Sequence, residues 1–117
     1  MDLIELVEAL RTHDALGARQ WVADSGRIRL DFTGLSRPES LDRLGLAIAA
    51  GIVELLAARA GQQPPAWTAS VAPLDEPFFL VRAAAVMPRL RRLCEEEGPE
   101  PLRSRRLLAP PEFLTAA

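Results

Sequence analysis

Chemistry in this chain would have to come from one thiol, Cys94, one imidazole, His13, and a charge-blocked run in which Arg89, Arg91 and Arg92 precede Glu95, Glu96 and Glu97. A reactive thiolate needs a lowered pKa, and Arg91, one helical turn before Cys94, is placed to supply it. Against this, Leu90, Leu93 and Cys94 share a helix face, where an unpaired cysteine packs as a small hydrophobe; this is the stronger reading. A Cys-His nucleophile pair would need His13 beside Cys94 and a third residue to orient it, and a surface or capping role at a helix break suits His13 better. One His and one Cys cannot fill a four-ligand zinc site. Three consecutive glutamates on a helix point about 100 degrees apart, so a carboxylate pair would have to recruit Asp75, Glu76 or Glu100. The glycines are scattered singly, which excludes a phosphate-cradling loop. No catalytic residue, metal or cofactor is expected.

The charge block reads better as recognition or stability. Arginines opening a helix that glutamates close oppose the macrodipole, and Arg91 to Glu95 and Arg92 to Glu96 have the weaker orientation for pairs four apart. An ion-pair lattice with Glu100, Arg103, Arg105 and Arg106 would recover the loss, as would an acidic surface on another protein. Residues 61–117 hold seven cations and seven anions, which favours the lattice. Trp67, Phe78 and Phe79, flanked by prolines, are either interface anchors or plugs of the core. Trp67 and Phe79 suit the core; Phe78 stays open, because adjacent residues rarely both point inward. The candidate partner-binding set is Trp67, Phe78, Arg89, Arg91, Arg92, Arg103, Arg105 and Arg106.

The elements that must position these residues are helical. Leu3, Ile4, Leu6, Val7 and Leu10 recur at helical spacing behind Asp2 as cap, which predicts a helix over 3–11. A second helix starts after Asp14 and runs to about Asp24, where Ser25-Gly26 stops it. Residues 27–32 alternate polar and apolar but lack an evident partner strand, and read as an extended connector. Ser36, Pro38 and Glu39 have capping-box spacing and open a long helix ending at Gly61, in which Gly45 and Gly51 imply a close helix crossing. Prolines then permit only short helices, near 66–71, 79–86, 89–97, 100–107 and 111–116. The predicted architecture is an all-α single domain spanning 1–117: a three-helix core over 1–61 with a long central helix, and a proline-rich C-terminal wrap over 62–117.

Composition narrows the partners. All 14 cationic residues are arginine, and Lys, Asn and Tyr are absent, the mark of a GC-rich bacterial coding sequence. A net charge of −2 disfavours nucleic acid. A helix-turn-helix over 3–25 would offer only Arg19 and Gln20 to base edges, beside Asp24. Asp2, Glu5 and Glu8 stand where a secretory signal needs basic residues, and the apolar run from Leu44 to Val53 is about half the ~20 residues that span a bilayer. A cytoplasmic protein without membrane contact is expected.

Pro65-Ala66-Trp67-Thr68, Glu76-Pro77-Phe78-Phe79, Leu90-Arg91-Arg92-Leu93, Glu97-Gly98-Pro99-Glu100-Pro101-Leu102-Arg103 and Pro111-Glu112-Phe113-Leu114 together look like a recurrent bacterial pattern. Across residues 64–114 the chain resembles the C-terminal region of small bacterial proteins associated with nucleotidyltransferase-type toxin modules as antitoxin-like partners. That resemblance implies a protein partner, a toxin-like enzyme; the absence of a DNA-reading helix departs from the members that carry one. The expected function is a non-catalytic protein-binding domain, antitoxin-like or an accessory subunit. Two alternatives stand beside it: a small enzyme or ligand-binding domain with a pocket between core and wrap, and a self-associating protein, a homodimer through Gly45, Ala49 and Ile52.

Overall fold

Asp2 accepts a hydrogen bond from the Ile4 backbone N–H at 2.9 Å and opens α1 (Leu3–Arg11), whose buried face is Leu3, Leu6, Val7 and Leu10. Burying each of these large side chains contributes about 1.5–3 kcal/mol. Residues 1–115 are described by the computed structural model. Asp14 caps α2 (Ala15–Arg27) by accepting from Gly17 N–H at 2.9 Å. The Trp21 indole N–H donates to the Asp2 carbonyl at 2.9 Å and ties the two helices together. α2 continues through Ser25 and Gly26 rather than stopping at Asp24, because the Ser25 hydroxyl donates to the Val22 carbonyl at 2.7 Å and needs no partner outside the helix.

α3 (Arg43–Arg59) starts later than the Ser36-Pro38-Glu39 spacing predicts. Asp42 is the cap: it accepts from Gly45 N–H at 2.9 Å and pairs with Arg11, so α1 fixes where α3 begins. The chain before it cannot be helical at Ser40, whose φ is 67°. Beyond α3 come a 3-10 turn (Ala66–Ser70), β1 (Phe78–Phe79), a second 3-10 turn (Arg82–Ala85), α4 (Pro88–Glu97), α5 (Glu100–Arg103) and β2 (Leu107–Leu108). This is a small all-helical domain with one two-strand motif.

That motif cuts the helices expected over 79–86 and 100–107 back to the 3-10 turn at Arg82–Ala85 and to α5. β1 and β2 pair in parallel, Phe78 opposite Leu107 and Phe79 opposite Leu108. Phe78 N–H donates to the Arg106 carbonyl and Leu80 N–H to the Leu108 carbonyl, both at 2.9 Å. Arg106, with φ at 64°, ends the helical path after α5 and turns the chain into β2. The helix expected over 111–116 is a turn at 111–114; Ala116 lies outside the described residues.

Gly51 marks the close crossing. A Cβ there would lie 3.0 Å from a Leu102 methyl and 3.1 Å from one of Leu107, so α5 and β2 seat directly on α3. At Gly45 the nearest atoms to a Cβ are those of Leu41 and the capping Asp42, both from the chain just before the helix. The face offered for self-association is occupied, since Gly45, Ala49 and Ile52 are all buried within the chain. The main apolar cluster draws on both halves, from Leu3 to Ala109, and a smaller one holds Ala84, Cys94 and Leu108 against Phe79 and Leu90. No helix among the described residues is long and apolar enough to cross a membrane.

Candidate functional site

The eight candidate partner-binding residues separate into internal and exposed groups. Arg105 belongs inside, which corrects its assignment as a contact for a partner: it is only 7% exposed. Nη1 donates to Glu54 Oε1 at 2.6 Å, Nη2 to Oε2 at 3.0 Å, and the same nitrogens reach the Pro101 and Thr68 carbonyls at 3.1 and 2.7 Å. The sequence signal for this pair was Glu54, a lone carboxylate on the buried length of α3.

Trp67 and Phe78 are half-buried and packed against the main cluster. The Trp67 indole donates to the Leu35 carbonyl at 2.9 Å. Phe78 stacks on His13 with ring centroids 5.6 Å apart. His13 Nε2 donates to the Phe79 carbonyl at 2.7 Å, so the lone imidazole bolts the α1–α2 corner to β1. Its φ of 61° is a conformation that histidine tolerates better than most residues.

Cys94 is fully buried. Burial raises its thiol above the ordinary value, and the negative charges of Glu112 and Glu95 add to the effect. Arg91 does not activate it; that guanidinium sits 5.2 Å over the Phe79 ring and pairs with Glu95 at 3.6 Å. No hydrogen bond joins Cys94 to His13 among the described residues, and no group of three metal-ligating side chains occurs among them.

Among the described residues the expected lattice is reduced, within the C-terminal half, to the Arg91–Glu95 pair. Arg103 donates to the Glu96 backbone carbonyl at 2.6 Å and Arg106 to the Asp75 carbonyl. Arg89 and Arg92, one turn apart on α4, are exposed and have no ion pair or side-chain hydrogen bond among the described residues. Immediately before them lie two residues absent from the sequence-derived set, Val86, 80% exposed, and Met87, 52% exposed. Their signal was in view: two large apolar residues ahead of Pro88, beside cations rather than in an apolar stripe. Arg82, also exposed and unpartnered, lies in the turn just upstream.

A second feature is a cavity of about 410 Å³, which opens between the α1–α2 corner, the Leu80–Arg82 segment and the tail around Glu112 and Phe113. A wider cleft of about 860 Å³ adjoins it along α2, with Arg19, Glu112 and Leu114 common to both. Arg59 crosses from the end of α3 to hold the tail, donating to the Phe113 carbonyl at 2.5 Å. No family model matches the chain, and neither a curated protein nor a solved structure is significantly similar to it.

Proposed function

We propose that this chain is a non-catalytic protein-binding domain whose recognition face is the start of α4 and the turn before it. The observation that carries the reading is the exposed Val86-Met87 pair followed closely in sequence by Arg89 and Arg92, neither of which has an internal partner among the described residues. Exposed apolar side chains beside arginines suit a protein interface, where Met and Arg are enriched. Cations at the N-terminal end of α4 disfavour the isolated helix, and an opposing acidic surface offsets that cost. The partner is therefore a protein with an acidic patch around an apolar pocket that takes Val86 and Met87.

In this reading α3 acts as the central helix, and the proline-rich half is the wrap that carries the binding face. The resemblance of residues 64–114 gives the finer form, an antitoxin-like or accessory subunit of a bacterial complex with a toxin-like enzyme as partner. The test is affinity capture from the source bacterium at low and high salt, with the wild-type chain and with an Arg89→Glu, Arg92→Glu variant whose circular dichroism is unchanged. A near-stoichiometric protein, released by salt and not retained by the variant, supports the proposal. Equal retention by both overturns it.

A further inference from the structure

We propose that the cavity between the α1–α2 corner and the C-terminal tail binds a small zwitterion with an apolar body, of the chemical class of a hydrophobic amino acid. Its volume of about 410 Å³ falls within the range of ligand pockets, and its floor is apolar, with Leu10, Ala18 and Leu80 buried there. What distinguishes it from a packing defect is the charge at its wall. Arg19 from α2, Arg82 from the turn after β1 and Glu112 from the tail are among its lining residues. These three make no ion pair or side-chain hydrogen bond among the described residues, so their charges are free for a ligand.

Three elements far apart in sequence thus bring both signs of charge to one concave apolar surface. A monoanion would satisfy the arginines and meet repulsion at Glu112, and a monocation the reverse. A molecule carrying a carboxylate and an ammonium satisfies both, with its aliphatic or aromatic body against Leu80 and Phe113. Asp14 also lines the cavity but already accepts from Gly17 N–H as the cap of α2, so Glu112 is the carboxylate assigned to the ammonium. The adjoining cleft is less suited, because its additional cation, Arg59, is committed to the tail carbonyls.

The test is a two-dimensional NMR titration of the full chain with L-leucine, with 4-methylpentanoate, which lacks the ammonium, and with 3-methylbutylamine, which lacks the carboxylate. L-leucine should give saturable shifts at His13, Ala18 and Leu80, while each single-charge analogue binds about tenfold more weakly, the factor for ~1.4 kcal/mol. Glu112→Gln and Arg19→Gln, both at exposed positions, should each weaken L-leucine by about the same factor. Arg89→Glu, on the proposed protein-binding face, should leave it unchanged, so failure here is separable from failure there. Equal affinity for 4-methylpentanoate, indifference to Glu112→Gln, or no saturable shift up to roughly ten times a millimolar Kd would each overturn the proposal.

Discussion

The Glu54 carboxylate and the Arg105 guanidinium meet fork to fork, two parallel hydrogen bonds joining the middle of α3 to the turn between α5 and β2. Arg105 Nε is buried without a hydrogen-bond partner among the described residues, so the pair is held tightly yet not fully satisfied. Replacing Glu54 alone by Leu strands a buried cation and should lower stability by about 3–5 kcal/mol. The double replacement Glu54→Leu, Arg105→Met should recover most of that loss. Urea unfolding of the single and double variants checks this; a double variant no more stable than the worse single would show that the pair's geometry is not the governing factor.

His13→Ala should remove both the hydrogen bond to Phe79 and the stacking on Phe78, costing about 1–2 kcal/mol. His13→Asn tolerates the positive φ and should cost less. Amide exchange at Phe78 and Leu80 reads the loss locally, and should quicken in the alanine variant before α1 loosens. Uniform quickening across α1 and β1 would contradict the bolt described for His13.

Cys94 should react slowly with a thiol reagent in the folded chain and at an ordinary rate in urea, since burial raises its pKa and hides the sulfur. The sign of the pH effect follows: the unfolded thiol ionises first as pH rises, so folding loses stability between the ordinary thiol pKa and the raised one. Cys94→Ala should abolish this alkaline component in denaturation curves measured across that range.

Asp42 is lowered from the ordinary carboxylate value, mainly by the hydrogen bond from Gly45 N–H and next by the Arg11 guanidinium. A depressed folded pKa contributes stability above the unfolded value and loses it as pH falls through the folded one. Asp42→Ala should therefore destabilise at neutral pH, and the gap from wild type should close in the acid range below the ordinary carboxylate pKa. A gap that persists at low pH would point to lost cap geometry rather than charge.

The helices set by a local pattern were legible: the capped apolar stripe of α1, the Asp14 cap of α2, and α4 behind Pro88. The start of α3 was not, because Ser36 and Asp42 both offer a cap and only Asp42 has Arg11 from α1 beside it. Two-residue strands are too short to show a period, and the Phe78–Leu107 pairing is long-range. Of the candidate site, the arginines of α4 could be read, whereas Arg105 looked like its neighbours until Glu54 was found across from it. Arg19, Arg82 and Glu112 carried no shared local signal, since only the fold places them around one cavity.

The seat of Leu102 and Leu107 against Gly51 has a consequence for synthesis. α3 leaves the ribosome before the two leucines that cover it at Gly51. Until they emerge, the most apolar helix of the chain is a target for chaperones and proteases. The nascent chain therefore reaches its protected state late, and shortening it before Leu107 would shorten its lifetime in the cell rather than merely trim its surface.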